Sequence, residues 1–208
     1  MSDSHASPPW LRPAGALPAV AVVPGLDAAH YLTGNFELAS PVLASVFTAT
    51  DGGLVRTAAA AAFDAMRAAA PASLRSTFRL VSTTRVFAYQ RVLFERKYNA
   101  SSANGIARAL DVLQYSSMPG TSRHHWGTDI DIASVFVEPF EAGGIYAAWY
   151  AWMRANAANF GFCQPYTFDR DQGYQREPWH WSFAPVAAHL TAAWLELGRV
   201  PRGFRGDQ

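Results

Sequence analysis

Two short stretches hold a disproportionate share of this chain's acids and imidazoles. "TSRHHWGTDIDIA" runs from Thr121 to Ala133, and "REPWHWSF" runs from Arg176 to Phe183. Zinc takes histidine nitrogen and carboxylate oxygen in a tetrahedron, and a catalytic site gives it three protein ligands and leaves the fourth position to water. His124, Asp131 and His180 make such a set. Metal-assisted hydrolysis also needs a base for the attacking water and an acid for the leaving group. Glu177, three residues before His180, is the candidate for both. Its spacing is not that of a helical H-E-x-x-H site, and Pro178, Trp179 and Trp181 point to a strand. Arg85 is a candidate for the positive group that an oxyanion requires.

Local geometry makes the set workable. Asp129 and Asp131 are two residues apart, so on a strand they share a face. Gly127 lets the chain turn tightly between His124 and that strand. His124 and Asp131 would reach one ion from a turn and a strand, and His180 would close the site across the sheet. His125 is the competing ligand. Neighbouring side chains point apart, so one of the two histidines faces the ion and the other packs or hydrogen-bonds behind it. His30 and His189 stand away from the acidic clusters and read as surface or half-buried side chains.

The elements that must position these residues are legible in part. Residues 54–71 read as an alanine-rich helix stopped at Pro71, 77–84 as a strand, and 85–99 and 104–116 as helices. Residues 128–136 alternate and read as a strand. Residues 144–161 read as an amphipathic helix closed by Gly161. Residues 177–183 read as a short strand, and 185–198 as a last helix with Pro185 in its first turn. Helices on both sides of a few strands, without regular alternation, give an α+β fold with a small antiparallel sheet. "SSMPGTS", before His124, reads as a loop at the lip of a cleft or a connector.

The bulk properties narrow the function classes. The chain has 208 residues, half of them hydrophobic, and a formal net charge of +1. That suits one domain with a sizeable core and excludes a disordered chain. Its scattered arginines offer no basic field for nucleic acid. Apolar runs are too short for a membrane span. The single cysteine, Cys163, rules out an internal disulfide and an all-cysteine zinc site, and reads as a small buried hydrophobe. The expected organisation is an irregular leader over 1–25, one unit over 26–200, and a polar tail over 201–208. The leader lacks the charged and apolar regions of a signal peptide. A monomer is expected.

The motifs together resemble the VanY-like D-alanyl-D-alanine carboxypeptidases and dipeptidases, zinc peptidases of the LAS superfamily. That pattern, S-x-H-x-x-G-x-x-x-D followed by E-x-W-H, is matched in order and spacing by Ser122, His124, Gly127 and Asp131, then Glu177, Trp179 and His180. An earlier segment similar to S-x-x-R-x-x-x-x-Q is present as Ser82, Arg85 and Gln90. "YLTGNFE", from Tyr31, is also similar to an N-terminal segment of these proteins. The resemblance spans about residues 30 to 195. It implies a hedgehog-like D,D-peptidase fold, with zinc held by His124, Asp131 and His180 and Glu177 as general base and acid. It further implies Arg85 at the oxyanion or substrate, and Ser122 and Gln90 near the substrate or behind the ligands. Many relatives carry alanine where Asp129 stands, and this extra carboxylate reads either as a partner for a ligand histidine or as a turn cap. The implied substrate is a peptidoglycan stem peptide ending in D-Ala-D-Ala, which points to the cell envelope or periplasm; the visible N-terminus leaves the cytoplasm open. Two alternatives stand beside this reading. One is an L-Ala-D-Glu endopeptidase with the same site. The other is a non-catalytic zinc-containing binding domain, against which Glu177 argues, because a structural site closes all four positions with protein ligands.

Overall fold

The structure is a computed structural model and describes residues 21, 23–167 and 174–199. Its centre is a four-stranded antiparallel sheet in the order β3-β4-β6-β5, formed by β3 (Leu80–Ser82), β4 (Asp129–Ile132), β5 (Phe162–Cys163) and β6 (His180–Phe183). A separate hairpin pairs β1 (Phe47–Thr50) with β2 (Gly53–Arg56). The helices are α1 (Ala28–Leu32), α2 (Thr57–Ala69), α3 (Phe87–Ala100), α4 (Gly105–Leu113), α5 (Ala147–Asn156) and α6 (Ala184–Arg199). The architecture is the α+β arrangement with a small antiparallel sheet that the sequence implies.

α2 forms because its residues are strong helix formers and one face is apolar. Ala59, Ala60, Phe63 and Met66 are buried along it. It stops where Ala70 turns extended before Pro71, since a residue preceding proline disfavours the helical region. α5 buries Trp149, Tyr150 and Met153. Phe78 packs edge-on against Trp149 and Trp152, with centroids 5.6 and 5.8 Å away. Gly161 ends the following 3-10 turn with φ of +79°, the left-handed conformation that glycine adopts without a Cβ penalty.

Several expectations require correction. The helix expected from residue 54 starts at Thr57, because Leu54, Val55 and Arg56 pair with Ala49, Thr48 and Phe47. Arg85 precedes its helix, which begins at Phe87. The strands at 77–84 and 128–136 are shorter than expected, and 177–179 form a turn before β6. The β1–β2 hairpin and β5 add to the elements expected from the sequence. Cys163 is half-buried on β5, and burial still pushes its thiol up to about 11. At the end of the expected leader, Ala21 and Val23 are buried in the core, and Arg56 donates to the Ala21 carbonyl at 2.8 Å. Residues 1–20 and the tail at 201–208 lie outside the described residues. Among the described residues, no helix is long and apolar enough to cross a membrane.

Candidate metal centre and active site

The register between β4 and β6 builds the site. Asp131 lies opposite His180 and Asp129 lies opposite Ser182. Directly opposed residues of an antiparallel pair point to the same face, so these four polar side chains share one face. Ile130 and Trp181, also opposed, lie buried in the core. His124 arrives from the 3-10 turn Arg123–Trp126, which ends on Gly127 with φ of +69°. A Cβ on Gly127 would overlap the Phe47 ring, so both the turn and its packing require glycine. The turn is tied to distant elements. Tyr31 donates through its hydroxyl to the Trp126 carbonyl at 2.5 Å, and Trp126 Nε1 donates to the Leu32 carbonyl at 3.1 Å. Arg56 donates its backbone N–H to the Gly127 carbonyl at 2.9 Å.

His124, Asp131 and His180 are buried, and one ligand atom from each lies within 4.8 Å of the others. Both imidazoles are fixed from behind. His124 donates through Nδ1 to the Thr83 carbonyl at 2.9 Å. His180 Nε2 is 3.0 Å from Asp129 Oδ1 and donates to it. The opposite nitrogens are therefore turned toward Asp131, with His124 Nε2 3.4 Å from Oδ2 and His180 Nδ1 3.1 Å from Oδ1. The last pair is close but out of line for a hydrogen bond, and Asp131 Oδ1 is a buried oxygen with no hydrogen-bond partner.

These features fit a zinc ion. Ligands at about 2.0–2.2 Å on a tetrahedron lie roughly 3.3–3.5 Å from each other, close to the 3.4 and 3.1 Å between the imidazole nitrogens and Asp131, while the whole set spans up to 4.8 Å. Two nitrogens and a carboxylate are a donor set zinc accepts, and an orphaned Asp131 Oδ1 beside the His180 Nδ1 is what a shared cation would relieve.

Charge around the cluster is unevenly shared. Burial alone would raise the Asp131 carboxyl, but His124, His180 and Arg85 hold it well below the usual carboxylate range. For His180, burial opposes the charged ring, yet Asp129 and Asp131 outweigh it and raise the ring to about 9. Burial and the Arg85 charge push His124 down. Glu177 Oε2 is 3.5 Å from His180 Nδ1. Burial pushes this carboxyl up to about 7, against the pull of His180.

Arg85 reaches the cluster directly: Nη2 donates to Asp131 Oδ2 at 2.7 Å, and Nε donates to Ser82 Oγ at 2.9 Å. Gln90 is fully buried behind it. Its Oε1 faces Arg85 Nη1 at 3.4 Å, and its Nε2 donates to the Ser117 carbonyl at 2.7 Å. Gln90 thus braces Arg85 and the 114–121 loop rather than lining the cleft. Ser122 lines the cleft, and its carbonyl accepts the His125 N–H at 3.1 Å. His125 turns away from the cluster. Its Nδ1 donates to the Arg85 carbonyl at 2.7 Å, and its Nε2 accepts from the Gly120 N–H at 3.1 Å. Of the two adjacent histidines, only His124 faces Asp131.

Asp129 partners His180, the first of the two roles its position suggests, and is anchored further. Its Oδ1 also accepts from Arg123 Nε at 2.8 Å, and its Oδ2 accepts from the Thr128 and Ser182 hydroxyls at 2.7 and 3.1 Å. Arg123 continues to Ser182 Oγ at 2.7 Å and Thr191 Oγ1 at 3.0 Å. The sequence reading missed Arg123. A cation six residues before an acid is an ordinary pattern, and only the fold brings the two together.

The cluster opens into a cleft of about 500 Å³. Val135, Phe136, Trp179, Tyr166 and Tyr174 contribute to its walls, as do Lys97, Tyr115 and Arg176. Trp181 is buried while Trp179 lines the cleft, which separates the roles of the two tryptophans flanking His180.

This fold is that of the VanY-type D,D-peptidases. It is similar to VanYB in complex with D-Ala-D-Ala, at 23% identity over 72% of this chain and 82% of that one, with a TM-score of 0.52. It is also similar to a variant of the vancomycin-resistance D,D-pentapeptidase VanY in complex with Zn(II), at 23% identity over 72% and 83% of the two chains, with a TM-score of 0.51. A curated relative, an uncharacterized protein of Haemophilus influenzae, is 31% identical over 98 residues, covering 41% of this chain and 74% of its own length. The D-alanyl-D-alanine carboxypeptidase family, VanY, matches residues 53–186, and this chain belongs to that family of peptidases.

Proposed function

We propose that the protein is a zinc-dependent D,D-carboxypeptidase that removes the terminal D-alanine from peptidoglycan stem peptides in the cell envelope. The observation that carries this reading is the pair of imidazole nitrogens, His124 Nε2 and His180 Nδ1, turned toward the two Asp131 oxygens, of which Oδ1 has no hydrogen-bond partner, with the Glu177 carboxyl 3.5 Å from His180. Family membership and a VanY relative described with D-Ala-D-Ala support the substrate class.

His124, Asp131 and His180 would hold the metal. Zinc bound there would supply the Lewis acid that polarises the scissile carbonyl and acidifies the attacking water. Glu177 accepts that water's proton and returns it to the leaving amine as the C–N bond breaks. Arg85, braced by Ser82 and Gln90, places positive charge beside the oxygen of the tetrahedral carbon. Asp129 holds His180 in one tautomer, and Thr83 does the same for His124.

The test is mass spectrometry of a pentapeptide muropeptide incubated with zinc-loaded protein, beside Glu177→Gln. Loss of one terminal alanine with the unmodified protein alone is expected. General acid–base catalysis contributes typically about 10²–10⁴-fold, so the variant should bind zinc and lose at least two orders of magnitude in turnover. Cleavage next to the sugar-proximal alanine would replace this reading with the endopeptidase. Zinc binding with no cleavage of any stem peptide would replace it with the non-catalytic domain.

A further inference from the structure

Arg123 and His124 are neighbours in one 3-10 turn, and both serve the metal cluster. His124 faces Asp131. The half-buried Arg123 guanidinium lies over the Trp126 ring and reaches three elements at once. Nε donates to Asp129 Oδ1 on β4 at 2.8 Å, Nη2 to Ser182 Oγ on β6 at 2.7 Å, and Nη1 to Thr191 Oγ1 on α6 at 3.0 Å. A guanidinium only donates, and a hydroxyl has a single hydrogen to give. Both hydroxyls therefore accept from Arg123 and pass their own proton on. Ser182 donates to Asp129 Oδ2 at 3.1 Å, and Thr191 donates to the Ala187 carbonyl at 2.8 Å. Arg123 thus holds Asp129 twice, directly at Oδ1 and through Ser182 at Oδ2. His180 is the ligand that depends on this grip. Its ring lies between two carboxylates, with Nε2 3.0 Å from Asp129 Oδ1 and Nδ1 3.1 Å from Asp131 Oδ1. Nδ1 is open to a metal only while the ring proton stays on Nε2, so the Asp129 carboxylate has to be held on that side.

We propose that Arg123 is a positioning residue for the metal ligand His180, acting through Asp129. The inference rests on the metal reading of the cluster and deepens it. One turn then supplies the first imidazole directly and fixes the second at long range through the residue before it. The two rings, 4.8 Å apart between centres and 89° between planes, are held in that relation by a single local structure. Without the guanidinium, the fully buried Asp129 carboxylate keeps only His180 and the Thr128 and Ser182 hydroxyls. The Ser182 hydroxyl is then no longer oriented, and the carboxylate and the imidazole it steers can turn together. Lysine at this position keeps the charge but lacks the planar fork that spans Asp129, Ser182 and Thr191.

The test measures zinc affinity by chelator competition for the parent, Arg123→Met, Arg123→Lys, Asp129→Ala and the double variant Arg123→Met/Asp129→Ala. Arg123→Met is expected to weaken zinc binding by about tenfold or more, as loss of an outer partner typically does, and Arg123→Lys by less. Because Arg123 works through Asp129, adding Arg123→Met to Asp129→Ala should change zinc affinity by less than about twofold. The second readout is the visible spectrum of the Co(II)-loaded proteins. The parent and Arg123→Lys should share the same tetrahedral bands, and Arg123→Met should shift or weaken them. Thermal unfolding of the metal-free proteins separates stability from coordination, since a merely structural Arg123 would lower the melting temperature and leave zinc affinity and the Co(II) bands unchanged. A parent that binds zinc beside an Arg123→Met variant with the same affinity and spectrum overturns this proposal and leaves the metal reading standing. Effects of the two single variants that add in the double variant also overturn it. Should Arg123→Met fail to fold, Arg123→Lys decides, and a zinc affinity equal to the parent's overturns the proposal. A parent that binds no zinc overturns both readings together.

Discussion

Replacing Asp129 by alanine tests whether the buried polar network is what shapes the metal cluster. Asp129 is fully buried and accepts four hydrogen bonds, from Arg123, His180, Thr128 and Ser182. Alanine removes all four acceptor contacts and leaves the half-buried Arg123 guanidinium beside the Trp126 ring, 5.1 Å from its centre, with only two hydroxyls as partners. Breaking a buried ion pair on one side costs about 3–5 kcal/mol. At roughly 2–4 °C per kcal/mol for a domain of this size, the melting temperature should fall by about 6–20 °C. The same change frees the His180 ring to rotate and swap tautomers, and loss of such an outer partner typically weakens metal affinity about 10–100-fold. Asp129→Asn separates shape from charge. An asparagine can keep its oxygen toward Arg123 and His180 and turn its amide toward the two hydroxyls, so it should retain more than half of the lost stability. The assays are thermal unfolding of metal-free protein followed by circular dichroism, and zinc affinity by competition with a chromogenic chelator. An Asp129→Ala protein that melts within 1–2 °C of the parent and binds zinc equally would refute the reasoning, because no buried cation could then depend on that carboxylate.

Other substitutions probe the supports of the same site. His124→Ala should abolish stoichiometric zinc binding, measured by metal analysis after dialysis. His125→Ala should leave close to one zinc per chain while destabilising the fold by about 2–4 kcal/mol in urea titrations, since the Arg85 carbonyl and Gly120 N–H would both lose their buried partner. Gly34 has φ of +76°, and a Cβ there would overlap the His125 ring; Gly34→Ala should cost about 2–4 kcal/mol by denaturant unfolding.

Much of the site was legible in the sequence because its geometry is local. The two-residue period of a strand puts Asp129 and Asp131 on one face whatever lies around them, and Gly127 marks the turn that brings His124 back toward that strand. Glu177 and His180 are three residues apart, and a short turn leading into β6 keeps their side chains within 3.5 Å. Helices such as α2 and α5 announce themselves through propensity and an apolar face. Tertiary structure decided what depends on pairing between distant segments. The register that sets Asp131 opposite His180 is a non-local choice, and a slip of one residue would have turned His180 to the core face. Leu54, Val55 and Arg56 left the helix their neighbours favour because β1 offered them a ladder. Gln90 moved behind Arg85, Arg123 was drawn in to neutralise Asp129, and Lys97 came to line the cleft, because only the assembled fold determines which charges are buried together.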